Sequence, residues 1–268
     1  LADGVYVVEG ANADFAPANG CNIINTGFIV TAAGVLVINT GPSRLYGEQL
    51  RALIARTTRE PVAQVLHLNL HPDYFLGNQA FADVPRRATP ATRTGMQREA
   101  RSYEDNLYRL CGDWMKGTQA LLPQQDVVPG TFRIGAREFE LRELAGHTSS
   151  DLVLIDKTSG VMFAGGLIFH QRLPTTPHAD PKRWLASLDV LAPLLADRSV
   201  VPSHGPVHRG DAGLAQTRDY LRWLDQSFAR WAESLASTSR FKSITLRAPG
   251  SSATCPAGVQ STSCAECT

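Results

Sequence analysis

The sequence predicts a layered α/β protein in which helices cover the outer faces of two β-sheets. Short apolar runs bounded by turn residues recur along the chain, as is typical of strands. Between them lie stretches with apolar residues three and four positions apart, as is typical of amphipathic helices. The second half of the chain repeats this order of strands and helices, which predicts two similar halves.

The first half, about residues 1–125, opens with strand patterns and closes with a long helical pattern. The run at 35–38 is short, apolar and bounded by glycines, which predicts a buried strand. The long helical pattern contains Gly112, where we expect a break. Predicted strands cover residues 5–9, 22–31, 35–38 and 62–65, and predicted helices cover 43–57 and 92–122.

The second half, about residues 126–236, has the same kinds of segment. A helix is expected to open after Asp180, because Pro181 suits the first helical turn. Predicted strands cover residues 131–134, 138–144, 151–155, 161–164 and 199–201, and predicted helices cover 181–195 and 212–235. We predict a single domain over residues 1–236. The remaining 237–268 are rich in Ser, Thr, Ala and Pro without periodicity, so we expect an irregular or disordered tail.

The composition favours a soluble protein that acts on small molecules. The 268 residues include 26 basic and 25 acidic ones, so the net charge of +1 offers no field that would attract nucleic acid or an anionic membrane. No apolar run reaches the roughly 18–20 residues that span a bilayer. Because the chain begins at Leu1 rather than methionine, we expect a periplasmic or secreted protein whose signal peptide has been removed.

The five cysteines do not form a recognisable disulfide framework. Cys21 and Cys111 lie in the body of the chain, and an exported protein could join them, although spacing alone does not establish the bond. Cys264 and Cys267 have the two-residue spacing of a metal or redox pair. They lack a second pair nearby, so a zinc knuckle is not expected there.

One stretch, residues 67–78, concentrates side chains that suit a functional site. It follows a predicted strand, and strand alternation would place His67, Asn69 and His71 on one face. Neutral imidazole and the nearby carboxylate of Asp73 are common zinc ligands. The alternative is a polar loop with one core histidine.

Two later junctions also carry a histidine just after a predicted strand. His147 follows Gly146, and His204 precedes Gly205. In layered α/β proteins, loops from separate strand ends meet at one edge of the sheets. We therefore expect His71, His147 and His204 to converge.

Five motifs follow one another along the chain: Val-Ile-Asn-Thr-Gly at 37–41, His-Pro-Asp at 71–73, Ala-Gly-His-Thr at 145–148, Phe-Ala-Gly-Gly at 163–166 and Pro-Ser-His-Gly at 202–205. In this order they resemble the motifs of the metallo-β-lactamase superfamily. The resemblance covers most of the chain and implies a four-layer αββα sandwich. More narrowly, residues 71–81 and 202–206 look like the zinc metallohydrolases associated with quinoprotein dehydrogenase systems.

The resemblance implies a pair of metal positions, of which this chain keeps only part. His71 and His147 match two of the three histidines of the first position, and Asn69 stands where the third belongs. Asp73 and His204 match the second position. Two other residues expected at the second position are replaced: Tyr74 stands in place of a histidine, and Gly166 in place of the bridging aspartate. Asn39 stands in place of the aspartate of the turn that supports the site.

The surviving residues predict one metal ion rather than two. Glycine offers no ligand and asparagine a weak one, and without the bridging carboxylate less negative charge holds two cations together. Zinc is the expected ion, with iron or manganese as alternatives. The predicted ligands are His71, Asp73, His147, His204 and Asn69. His67 is either a replacement ligand or a core histidine, and His178 and His208 are expected to be solvated or to face substrate.

The leading functional hypothesis is a metal-dependent hydrolase in which metal-bound hydroxide attacks an ester, lactone or amide-like bond. Asp73 would bind the ion or orient the water. Tyr74 would donate a hydrogen bond to the developing oxyanion, or else be an aromatic wall residue. One alternative is a non-catalytic small-molecule-binding protein of a periplasmic quinoprotein pathway, and another is a β-lactamase.

Overall fold

The computed structural model describes residues 1–242, with side chains described up to residue 235. Two six-stranded sheets form the centre of this part of the chain. The strands of the first sheet, in spatial order, are β1 (Val5–Val8), β2 (Thr26–Thr31), β3 (Gly34–Ile38), β4 (Val62–Leu66), β5 (Arg86–Ala88) and β6 (Gln125–Asp126). The first three strands are antiparallel neighbours, and β3 to β6 are parallel.

The second sheet contains the remaining strands in the reverse order, from β12 to β7. They are β7 (Gly130–Ile134), β8 (Arg137–Leu144), β9 (Asp151–Asp156), β10 (Met162–Phe163), β11 (Ser199–Val201) and β12 (His208–Arg209). Only β10 and β11 are parallel neighbours within it. Each sheet is therefore mixed, and in each the parallel strands are joined through helices.

The described residues contain five α-helices. They are α1 (Arg44–Thr57), α2 (Pro72–Phe75), α3 (Pro90–Cys111), α4 (Pro181–Leu191) and α5 (Ala212–Lys242). Side-chain caps begin three of them, because Ser43, Thr89 and Asp180 each accept a backbone N–H of the first turn. None of these helices is long and apolar enough to cross a membrane.

The apolar clusters show that the layers follow the order helix, sheet, sheet, helix. One cluster lies between the sheets and joins Leu36 and Leu66 of the first to Leu141 and Leu154 of the second. On its outer face the first sheet packs against α1. The second sheet packs against α4 and the beginning of α5. The predicted αββα sandwich is confirmed.

Most predicted segments match observed elements, and the differences lie at segment ends and in short elements. The predicted strand at 22–31 begins only at Thr26, and the side chain of the preceding Asn25 binds the Pro202 carbonyl of another loop. The long helix ends at Cys111, and a 3₁₀ turn follows at Gly112–Met115, where a break was expected. Three short strands, β5, β6 and β12, were not predicted.

The end of the chain differs from the prediction at residues 237–242, which are helical because α5 continues to Lys242. The rest of the predicted tail, with Cys264 and Cys267, lies outside the described residues. The chain divides into two compact units, Leu1–Asp225 and Gln226–Thr268. Both sheets belong to the first unit, and the domain boundary at residue 236 stays a prediction.

Cys21 and Cys111 form a disulfide, with their Cα atoms 5.8 Å apart. Both residues are fully buried in a cluster beneath α3, together with Leu70 and Phe75. The bond therefore ties the end of α3 to the segment before β2. Phe75 of this cluster ends the short helix α2, which follows His71. The disulfide cluster therefore lies beside the candidate site.

Candidate functional site

The histidine-rich stretch leaves β4 at Leu66 and enters α2 at Pro72. His67 turns away from the site, because its Nδ1 hydrogen-bonds the Tyr74 carbonyl at 3.1 Å and its ring is 0% exposed. Burial lowers the pKa of His67 to about 3, so the ring is neutral. His67 is therefore a core histidine, the second of the two predicted possibilities.

The three histidines from separate strand ends do converge. The rings of His71 and His147 lie 4.7 Å apart between centroids. Burial and the proximity of His147, His178 and His204 lower the pKa of His71 well below its usual value. His204 Nε2 lies 3.0 Å from Asp73 Oδ2. The structure thus brings together His71, Asp73, His147 and His204.

Asn69 lies at the centre of a hydrogen-bond network rather than facing an open position. Its Nδ2 donates to Asp151 Oδ1 at 2.5 Å and lies 3.2 Å from His147 Nδ1. Its Oδ1 accepts the backbone N–H of His71 at 3.0 Å. Both polar atoms of Asn69 are therefore in use within the protein.

Asp151 anchors this network and was not among the predicted site residues. Its side chain is 0% exposed and accepts three hydrogen bonds, from Asn69 Nδ2, the Thr148 backbone N–H at 2.8 Å and Thr148 Oγ1 at 3.1 Å. A carboxylate directly before the apolar run at residues 152–155 of β9 was the available sequence signal.

Gly166 leaves room for the His147 ring. A Cβ atom at position 166 would lie 2.1 Å from His147 Nδ1 and 2.9 Å from Asn69 Nδ2. The ring cannot easily retreat, because it packs against Phe169 and Trp184 with centroids 5.5 and 5.0 Å away. The place of the side chain missing at 166 is therefore occupied by His147 and Asn69.

His204 is held on both nitrogens. Its Nε2–H donates to the Asp73 carboxylate, and Ser203 Oγ lies 2.9 Å from its Nδ1. The Phe169 ring stacks on it at 5.0 Å with an interplanar angle of 4°. Asn25 fixes the loop from below by donating through Nδ2 to the carbonyls of Pro202 and Gly205.

Tyr74 lies inside the molecule rather than at the site. Its side chain is 0% exposed and belongs to the apolar cluster between the two sheets. Burial raises the pKa of its hydroxyl well above the usual value. An oxyanion donor must reach substrate, and the Tyr74 side chain is buried, so this position argues against the predicted catalytic role. The alternative of an aromatic wall residue stays a prediction.

His178 joins the cluster from the loop before α4. Its ring centroid lies 5.2 Å from that of His71, and its side chain is 24% exposed. Its Nε2 is 3.9 Å from Glu99 Oε1, beyond hydrogen-bond distance. Burial lowers the pKa of His178. Whether His178 faces substrate or is solvated stays a prediction. His208 packs against His170.

Comparison with known proteins supports the architecture. No family model and no curated protein matches the chain. Among solved structures, a metallo-β-lactamase from Pontibacter korlensis is similar at 22% identity and a TM-score of 0.61, over 74% of this chain and 87% of that one. TMB-1 is similar at 17% identity and a TM-score of 0.64, over 84% of this chain and 96% of that one.

A metallo-β-lactamase from Hirschia baltica is similar at 18% identity, with a TM-score of 0.64 and coverage of 82% of this chain and 95% of that one. The chain has the metallo-β-lactamase fold. At these identities the likeness establishes the fold.

A metallo-β-lactamase fold implies metal ions, but the side chains present do not fit one as they stand. Within residues 1–242, no three His, Cys, Asp or Glu side chains form a group that could hold an ion. Asn69 is fully engaged, Gly166 provides no donor, and Asp73 is paired with His204. His71 Nε2 and His147 Nε2 do lack hydrogen-bond partners in the described chain, so two imidazole nitrogens remain available to a ligand.

Proposed function

We propose that this chain is a small-molecule-binding protein that uses the metallo-β-lactamase fold without a resident catalytic metal. The observation that carries the proposal is the His147 Nε2 atom, which is buried and has no hydrogen-bond partner in the described part of the protein. Its ring is 1% exposed, so leaving that nitrogen unmatched costs about 1–3 kcal/mol. A bound ligand that contacts it removes this cost.

The exposure of the neighbouring rings supports binding from outside. His71 and His178 are partly exposed, whereas His147 behind them is buried. A ligand would therefore pass His71 and His178 before it reaches His147. A cavity of about 570 Å³, lined by Glu143 and Ala145 among other residues, includes none of these histidines.

The same proposal covers the compartment and the pathway. The Cys21–Cys111 disulfide supports an oxidising location such as the periplasm. The sequence resemblance to proteins of quinoprotein systems supports a ligand from such a pathway. The compartment and the pathway are therefore further parts of the proposed binding function.

The rival function is a one-metal hydrolase of ester, lactone or amide-like bonds. It is favoured by the two unpartnered Nε2 atoms of His71 and His147, whose rings lie side by side. Zinc would supply a hydroxide nucleophile near neutral pH. For this hydrolase, the metal ligands His71, His147, Asp73 and His204 stay a prediction. β-Lactamase action also stays a prediction.

Metal analysis combined with a ligand screen separates the two functions. We expect protein purified without chelator to contain less than about one tenth of an equivalent of zinc, iron or manganese, well below the one ion per site that a catalytic centre needs. We also expect no hydrolysis of a nitrophenyl ester, a lactone or a chromogenic cephalosporin when zinc is added. About one equivalent of metal, lost in His147→Gln, would instead establish the hydrolase.

The binding function itself is tested by thermal unfolding in the presence of a library of small carbonyl and carboxylate compounds. At least one compound should raise the melting temperature of the parent and not that of His147→Gln. His208→Gln is the matched control, since it removes an imidazole outside the cluster and should keep the response. If no compound stabilises the parent, the binding function is wrong.

A further inference from the structure

We infer that Asn69 fixes His147 in the tautomer that carries its hydrogen on Nε2. His147 was a predicted metal ligand, but in this tautomer it donates a hydrogen bond to an oxygen atom of the bound small molecule. The first part concerns the protein alone. The second part, the ligand class, rests on the proposed binding function.

The orientation of the Asn69 amide is determined by two independent partners. Its Nδ2 lies 2.5 Å from the Asp151 carboxylate, which can only accept. Its Oδ1 lies 3.0 Å from the backbone N–H of His71, which can only donate. Exchanging oxygen and nitrogen would place acceptor against acceptor at Asp151 and donor against donor at His71. The amide therefore presents Nδ2 to His147.

That orientation decides which nitrogen of His147 carries the hydrogen. The second hydrogen of Asn69 Nδ2 is directed at His147 Nδ1 across 3.2 Å, so Nδ1 must accept. The competing neighbour, Asp151 Oδ1, lies 3.6 Å from Nδ1, beyond hydrogen-bond distance. A neutral imidazole that accepts through Nδ1 carries its hydrogen on Nε2.

An Nε2–H group cannot bind a metal, because the lone pair that a metal needs is absent. It can donate to an oxygen. Phe169, Trp184 and the lack of a side chain at Gly166 hold the ring in this position. The ligand class that matches a fixed donor beside two further imidazoles is a small molecule with a carboxylate or carbonyl oxygen.

Nitrogen-15 NMR of the histidine rings in the full, uniformly labelled chain tests the tautomer directly. The His147 signals are identified by their loss in His147→Gln. We expect Nδ1 of the parent to show the shift of an acceptor nitrogen and Nε2 that of a protonated one. In Asn69→Ala, Asp151 becomes the nearest partner of Nδ1, and the pattern should reverse. A parent spectrum with the hydrogen on Nδ1 overturns the inference even if that variant does not fold.

Two titrations on the same sample test the ligand class and the metal. Sodium acetate should move the His147 Nε2 signal, whereas methylammonium chloride, which has no acceptor oxygen, should not. One equivalent of zinc chloride should leave that signal in place. Loss of the signal with zinc, or no response to acetate, overturns the assignment of a donor. The tautomer result is independent of the ligand screen, so the two proposals can fail separately.

Discussion

Replacing Asp151 with asparagine tests whether hydrogen bonds rather than a metal ion hold the candidate site together. The carboxylate is completely buried and receives hydrogens on both oxygens, from Asn69 and Thr148 on Oδ1 and from the Thr148 backbone on Oδ2. An asparagine has only one acceptor oxygen. Whichever way it turns, its NH₂ group faces at least one of these donors, and the charge that strengthens the remaining bonds is lost.

The expected cost follows from that count. One buried donor without a partner costs about 1–3 kcal/mol, and weaker bonds at the remaining oxygen bring the loss to about 2–4 kcal/mol. For a domain of this size, that corresponds to a melting temperature lower by roughly 5–15 °C. Urea unfolding followed by circular dichroism measures the free energy, and a loss below about 1 kcal/mol would refute the reasoning.

Asp156→Asn is the matched control for Asp151→Asn. Asp156 is also 0% exposed and lies on β9, but its partners are Arg137 and Ser159, away from the histidines. We expect a comparable loss of stability in both variants. Only Asp151→Asn should change the nitrogen-15 signals of His147, because only Asp151 positions Asn69.

Two further predictions follow from contacts near the site. Gly166→Ala should lower stability by about 1–3 kcal/mol, because its Cβ meets His147 Nδ1 at 2.1 Å, and an unchanged melting temperature would show that the ring moves freely. Replacing Cys21 and Cys111 together by serine removes a cross-link between residues 90 positions apart, which should cost about 4–5 kcal/mol in the loop-entropy model. The urea midpoint of that double variant should fall, and parent protein treated with reductant should behave in the same way.

The sequence predicted the architecture well because apolar periodicity is a local property. Buried strands such as β3 and β9 carry it strongly, and both were placed within a residue of their observed ends. The strands that escaped, β5, β6 and β12, have only two or three residues and include polar or half-exposed positions. Their pairing is decided by neighbouring strands and not by their own pattern.

The candidate site was predicted less completely, because its chemistry depends on contacts between distant residues. The convergence of His71, His147 and His204 follows from the strand order, so it could be predicted. The hydrogen bonds of Asn69 could not be predicted, since its partners His147 and Asp151 lie 78 and 82 positions away in the chain. The role of Tyr74 depended on which way a four-residue helix turns its side chains.

The departures from the family pattern are better understood as one coordinated arrangement than as separate losses. In a two-metal site, cations balance the buried carboxylates. Here His204 donates a hydrogen bond to Asp73, and Asn69 and Thr148 donate hydrogen bonds to Asp151, so protein donors stabilise both carboxylates. Asn69 directs the two hydrogens of its amide at Asp151 and His147. A metal-ligating histidine at this position would instead direct a lone pair at the metal ion.

Gly166 completes this arrangement by removing the carboxylate that would otherwise lie against His147. An aspartate at 166 would place a further carboxylate against His147 and Asn69. Asn69 and Gly166 therefore depend on each other. Restoring either one alone should destabilise the site, because a histidine at 69 would leave Asp151 without its closest donor and an aspartate at 166 would displace the His147 ring.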